Sequence, residues 1–474
     1  MKKISIFSLM ILLLAVTGAC REEFLQTEPT ETVSSPSAEF KLNGLYLLMV
    51  ETATGGTTGH DDFGQKGYDI YTDLLSSDMV LGGTTYGWYS NIANYSAPVD
   101  FTTNPNYIPW RYYYKLINAA NDVIEGLGGN DAQLSGTDKY AMGQAKAIRA
   151  YAYYNLLQLY TPKYDAAALS IPIYKEVTAQ SGPKAPQSEV YDFMIDDLTK
   201  SIALLDGFTR KNKGIVDKNV AKGILAYVYA AKGDYPKVVQ VAGDLVSTSP
   251  YPLTTKAQAT GGFNRLETAS WMWGFDITLD NDLDLISWWG QVDIFTYSYA
   301  WAGDPKAMDE NLYNSIRADD VRKTQFDGSY EGVEYLPTNK FFDPNREIGG
   351  QRVIETDYIY MRIDEFHMLY AEALAKTGQI GLAKTVYKNF LSNRLTDTSY
   401  IDGLSEPQLI ADIYTNTRIE FWGEGKTYSA LKRNKATVTR GANHLFYEGQ
   451  SFNYDDNRLY LKIPQAEVIA NPNL

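Results

Sequence analysis

The chain has 474 residues, with 43 Lys and Arg against 57 Asp and Glu, a formal net charge of −14 and a single cysteine. So acidic a chain is not expected to coat nucleic acid, and one thiol cannot build a disulfide framework. Aromatic residues make up 13% of it, with 37 Tyr and 8 Trp, which points to surfaces that use rings with polar tips.

Lys2 and Lys3 give a basic start, Ile6 to Val16 is an apolar run, and small residues follow at Gly18 and Ala19. The run has signal-peptide length and is short for a membrane span, so residues 1–19 read as a signal peptide. The stretch Thr17-Gly18-Ala19-Cys20 resembles a bacterial lipoprotein processing box, in which the thiol is lipidated and the cysteine becomes the first residue. Thr17 departs from the aliphatic residue usual at its position. The alternative for Cys20 is a buried free thiol, but such cysteines belong in cores and not at signal junctions. Glu22 and Glu23 resemble the surface-export signal of Bacteroidetes lipoproteins; as a plain reading they are part of a solvated tether over 20–40. No second apolar run reaches spanning length, which leaves the lipid as the membrane anchor.

Residues 41 to 105 read as irregular, with turn clusters at 53–62 and 81–87. Helical periodicity then begins. Over 143–160, Ala145, Ile148, Ala152, Leu156 and Leu159 share one face. Over 186–205, Ser188 is the expected N-cap before Val190, Phe193 and Met194. An internal repeat follows. In 220–250 two amphipathic helices flank the turn Lys232–Pro236, and in 362–395 the same layout surrounds Lys376–Gln379. Ala226 and Val238 are as far apart as Ala371 and Ala383, and the first copy lies close to tetratricopeptide spacing. The expected class is therefore mostly α, with tetratricopeptide-like helical repeats, long irregular loops and a few short strands. Length alone suggests roughly two to four domains. Residues 251–354 break the pattern, being rich in Gly, Asp, Trp and Tyr; they read as a long excursion inserted between helix pairs, of the kind that often carries function.

Five stretches in order carry a family resemblance: Ile148–Tyr160 with Ile171–Glu176, Pro186–Leu198, Met361–Gly378, Thr417–Arg433 and Leu459–Leu474. Together, behind a lipoprotein-like start, they resemble the SusD/RagB family of Bacteroidetes surface lipoproteins over nearly the whole chain. Lys426 and Ala430 depart from the Arg and Asp common there. The resemblance implies one domain over 41–474, with four tetratricopeptide-like units. It implies no catalytic activity, and a place at the outer surface as a lid over a SusC-type TonB-dependent transporter, passing captured glycan, or in some branches peptide, inward. It also implies ligand loops ahead of the first helix pairs and in the excursion. The charged residues Arg418, Glu420, Glu424 and Lys426 read as structural, locking a late helix by paired charges.

The chain has no HExxH, no phosphate-cradling GxxxxGK[ST] and no GxSxG elbow. His60, His367 and His444 stand singly. The carboxylate pairs Asp61/Asp62, Asp196/Asp197 and Asp319/Asp320 leave a glycosidase open in principle. Asp280, Asp282 and Asp284 begin like a calcium loop, but Leu285 and Gln291 occupy the positions an EF-hand gives to Gly and Glu; a looser structural Ca²⁺ site stays open, and no other cofactor is expected. The better ligand candidates are aromatic. One set is Tyr86, Trp88, Tyr89 and Asn91 in a Gly-flanked loop; the other is Trp271, Trp273, Trp288, Trp289, Tyr297, Tyr299 and Trp301. An exposed indole stacks on the flat C–H face of a sugar while nearby polar groups bind its hydroxyls. The alternative is that these rings pack under long loops as satellite cores. Peptide capture, a surface glycosidase and a scaffold binding only protein remain the competing functions.

Overall fold

The computed structural model describes residues 36–178 and 180–474. The segment 1–19, Cys20, Glu22, Glu23 and the first part of the tether lie outside the described residues.

Long helices carry the architecture. Asn104–Gly126, Gly136–Tyr160, Gln187–Leu204, Lys218–Lys232 and Tyr235–Thr248 pack each against the next; the series continues through Ile363–Lys376, Ile380–Leu391 and Glu406–Glu420. The expected face of the 143–160 segment is fully covered: Ala145, Ile148, Ala152, Leu156 and Leu159 are all core residues. The repeat turns form as read. Gly233 takes a left-handed conformation at φ +81°, and the Asp234 side chain then caps the next helix by accepting from Lys237 N. Gly378, at φ +77°, ends its helix in the same way. Ala226, Val238, Ala371 and Ala383, the residues that mark the repeat spacing, are all buried. The chain is thus mostly α and tetratricopeptide-like.

Two local expectations change. The helix at 187 is entered from Pro186, whose φ of −55° is already suited to a helix start, so Ser188 lies in the first turn and is not the N-cap. Within the stretch read as irregular, Gln65–Leu75 is a helix buried on every side. A helix covered all round has no polar face, so it leaves no periodicity to read.

Four two-stranded antiparallel ladders occur among the described residues. One positions the candidate site: Met79–Leu81 pairs with Lys306–Met308, with Val80 opposite Ala307. This clamps the loop before the first long helices against the excursion. Just beyond the strand, a Cβ on Gly83 would lie 1.9 Å from the Gly303 carbonyl oxygen, so only glycine permits that backbone approach.

The late charged block is paired, as expected, but with distant partners. Arg418 meets Asp78 at 2.6 Å, and Lys426 donates to the Tyr360 carbonyl at 2.8 Å. Glu420 and Glu424 enter a buried network with Arg322, Lys340, Arg362 and Arg394.

Candidate functional site

The clamp brings the 84–91 loop onto Tyr299. Asp304, fully buried, accepts the backbone N–H groups of Thr85 at 2.5 Å, Tyr86 at 3.0 Å and Gly87 at 3.2 Å. One carboxylate therefore satisfies three successive loop amides. Gly87 then turns at φ +78° and presents Trp88. The Trp88 ring lies parallel to His60, with centroids 5.0 Å apart and planes 4° from each other. Tyr299 closes the cluster: its hydroxyl shares a 2.5 Å hydrogen bond with His60 Nδ1, and its ring sits edge-on to Tyr86 and Trp88. Tyr86 is 56% exposed, Trp88 half-buried and Asn91 exposed. They line a pocket of 330 Å³ together with Thr57, Thr58 and Asn104.

Support from below is polar and buried. Buried Lys306 donates to Gln291 Oε1 at 2.7 Å, and Gln291 Nε2 donates to the His60 carbonyl at 2.9 Å. Burial pushes the Lys306 amine down to about 7 against the opposing charge of Asp304. Burial also lowers the His60 imidazole, against the opposing charge of Asp284.

A hydrogen bond to an ionised carboxylate contributes about 1.5–3 kcal/mol. Asp304→Ala is therefore expected to speed amide exchange at Thr85, Tyr86 and Gly87 by at least about tenfold, as read by hydrogen-exchange mass spectrometry. Unchanged exchange there would mean that ring packing alone holds the loop.

A second exposed pair lies on the excursion. Tyr297, 36% exposed, and half-buried Trp301 have ring centroids 5.5 Å apart; the Arg352 guanidinium lies 5.2 Å over Tyr297.

The remaining aromatic candidates are corrected. Trp271, Trp273, Trp288 and Trp289 are at most 1% exposed, and Tyr89 is 2% exposed. The four tryptophans offer no ring face to a ligand in this structure, and Tyr89 reaches the 330 Å³ pocket only as a buried part of its wall. Trp271 and Trp273 lie in a strand, Trp271–Phe275, paired with Tyr358–Arg362, whose two faces are both covered. Trp273 Nε1 donates to the Gly214 carbonyl and Trp289 Nε1 to that of Thr356. Trp288 and Trp289 open a short helix capped by Ser287 and pack against Phe341. Tyr89 takes φ +65°, which turns its ring inward and lets its hydroxyl donate to the Gly67 carbonyl. Packing under loops, the alternative reading, holds for these five.

One member of each carboxylate pair serves the fold, while Asp61, its carboxyl pushed up by burial to about 6, lines the 330 Å³ pocket. Asp62 binds the amides of Gly55 and Thr57, Asp197 pairs with Arg149, and Asp320 pairs with Arg322. Among the described residues no group of three or more His, Cys, Asp or Glu converges as a metal site, and Asp284 is spent on Arg352. His367 is buried within its helix and His444 pairs with Asp309. Sequence reasoning missed His60 and Asp304. A solitary His carries no local signal; for Asp304, the pointer available was Gly303 before it, facing Gly83 across the chain.

Comparison with known proteins follows the same lines. A family described as "Starch-binding associating with outer membrane", a SusD-like group, matches residues 30–230, and the "SusD family" matches residues 288–474. SusD-like protein P2 of Formosa agariphila is 25% identical, over 100% of this chain and 99% of its own length. A SusD-like carbohydrate binding protein from Bacteroides vulgatus superposes with a TM-score of 0.78 at 23% identity, over 92% of this chain and 96% of that one. Surface glycan-binding protein A from Bacteroides thetaiotaomicron, solved with laminarihexaose, gives a TM-score of 0.69 at 16% identity, over 92% and 97% of the two chains. Likeness at these identities speaks for the fold.

Proposed function

Because the chain belongs to the SusD/RagB family, we propose that it is a surface lipoprotein of the outer membrane that captures glycan and hands it to a SusC-type TonB-dependent transporter. The lipid would be carried by Cys20. The observation that carries the reading is the Tyr86–Trp88 platform: rings held open to solvent over a 330 Å³ pocket, on a loop pinned by Asp304. A sugar ring stacks on Trp88 or Tyr86, and Asn91, Thr57 and Thr58 reach its hydroxyls. Tyr297 and Trp301 offer a further contact on the excursion. Among the described residues no helix is long and apolar enough to cross a membrane.

The role asks for binding without chemistry. Stacking and a few hydrogen bonds give an affinity modest enough for release to a transporter. Asp62, Asp197 and Asp320 are engaged by the fold, whereas Asp61 lines the pocket, so the glycosidase reading is decided by the product-release arm of the test below.

The test is a glycan and peptide array with the full chain, followed by calorimetry on the best ligand. An anchor ring of this kind contributes about 2 kcal/mol, so Trp88→Ala is expected to weaken glycan binding by at least about tenfold. Glycan affinity that survives Trp88→Ala unchanged removes the stacking site. Peptide binding alone moves the protein to peptide capture, and product release from a bound glycan makes it a glycosidase.

A further inference from the structure

A second cavity lies beside the first. It has a volume of 380 Å³ and sits between the Asn104–Gly126 helix, the 172–176 segment and the Gln465–Ala470 helix. Its walls are tied together: Tyr114 donates to the Pro172 carbonyl at 2.9 Å, Asn121 to those of Tyr174 and Glu176, and Tyr107 to Glu467 at 2.7 Å. The groove is thus a formed feature of the fold.

One helix contributes to both cavities. Asn104 and Ile108 line the first cavity; Arg111, Lys115 and Asn118 line the second. These five residues step by four and three, so they share one helix face. From Ile108 to Asn118 the face runs about 15 Å.

Arg111 sits at the junction. Its guanidinium lies 4.4 Å over the Tyr107 ring, and a Cβ on Gly56, next to Thr57 of the first pocket, would come within 3.1 Å of its Nη1. The group is held in place, yet its buried Nε has no hydrogen-bond partner among the described residues. Lys115 follows one turn on and is exposed. Of the two carboxylates at the groove, Glu467 is engaged by Tyr107, and among the described residues neither it nor Glu176 forms a salt bridge with these cations. A guanidinium and an ammonium lining one cavity, neither paired with a carboxylate among the described residues, point to an anionic group supplied from outside.

We propose that this groove is a second glycan subsite, in which Arg111 and Lys115 bind an oxyanion borne by the sugar chain, the carboxylate of a uronic acid or a sulfate ester. The inference rests on the glycan-capture reading. The chain lies along the helix face, one ring at Trp88 and its charged neighbour at Arg111. Acidic oligosaccharides are then preferred to neutral ones, and the preference fades with salt.

The experiment titrates the full chain with three probes: oligogalacturonides, sulfated galactan oligosaccharides and uncharged β-glucan oligosaccharides. At least one acidic probe is expected to bind at least about tenfold more tightly than the neutral one, with the advantage lost in the double variant Arg111→Gln, Lys115→Gln. Which acidic probe wins names carboxylate or sulfate. Lys115→Gln, on an exposed side chain, leaves folding untouched and is expected to weaken acidic binding severalfold while neutral binding holds. Equal affinity for acidic and neutral probes, or acidic binding indifferent to both variants, overturns the subsite. Trp88→Ala separates the two ideas: acidic binding that survives it but not the double variant removes the stacking platform and leaves the subsite standing.

Discussion

Glu420→Gln is expected to destabilise the protein by about 3–5 kcal/mol, the usual cost of removing one partner from a buried ion pair. Glu420 is 3% exposed and makes four close contacts with three guanidinium groups. Its Oε1 accepts from Arg362 Nη1 at 2.8 Å and Arg394 Nη2 at 2.6 Å; its Oε2 accepts from Arg394 Nε at 2.9 Å and Arg322 Nη1 at 3.1 Å. Around it the charges balance: Asp320, Asp364 and Glu424 join Glu420 against Arg322, Lys340, Arg362 and Arg394. Glutamine keeps the shape and removes one charge of that set, leaving buried cations without their shared counter-ion. Because the partners come from four separate stretches of chain, the whole late half should loosen, with an earlier midpoint in urea. A midpoint within error of the parent would show that water or rearrangement compensates the network.

The pH dependence has a defined sign. Burial alone would raise the Glu420 carboxyl, but Arg394, Arg362 and Arg322 outweigh it and hold the group well below its ordinary 4.5. A depressed carboxyl contributes stability that is fully present above the unfolded value and is lost as pH falls through the folded one. The gap between parent and Glu420→Gln is therefore expected to be widest at neutral pH and to narrow progressively below about 4.5. A gap that widened on acidification would contradict the assignment.

That network shows how far the sequence can be read. Arg418, Glu420, Glu424 and Lys426 are recognisable as a structural block, because so many charges on a late helix must be satisfied. Their partners are not recognisable, since Asp78, Arg322, Lys340 and Arg394 are distant and carry no mark of pairing. The repeat is the opposite case: Gly233, Asp234 and Gly378 are local devices, so turn and hairpin are legible from a few residues. The site falls between. Tyr86 and Trp88 follow from a Gly-flanked loop, but their support, Asp304 and Tyr299, arrives only through the Met79–Leu81 and Lys306–Met308 ladder. Composition identifies aromatic-rich stretches and says nothing about which ring faces solvent.

Trp288 makes that distinction measurable, and Trp288→Ala is expected to lower stability by about 3–5 kcal/mol without acting on the ligand. The ring is 1% exposed and packs edge-on to Phe341 at 5.3 Å. The Lys66 ammonium lies 4.1 Å over it, and the same ammonium pairs with Asp69 at 2.9 Å and donates to the Gly423 carbonyl. Trp288 thus joins the excursion to the buried Gln65–Leu75 helix and to the Phe421–Gly425 turn. Truncation opens a large cavity beneath an ammonium that loses its cation–π partner, so the loss exceeds that of burying area alone. Trp88, half-buried on a loop held by backbone hydrogen bonds, should tolerate alanine with little change in the urea midpoint. The two variants are therefore expected to separate: Trp288→Ala loses stability and, where still folded, keeps its glycan affinity; Trp88→Ala keeps stability and loses affinity. Should Trp288→Ala instead prove stable and fail to bind, the ring meets the ligand in solution and its buried position here is not the working one.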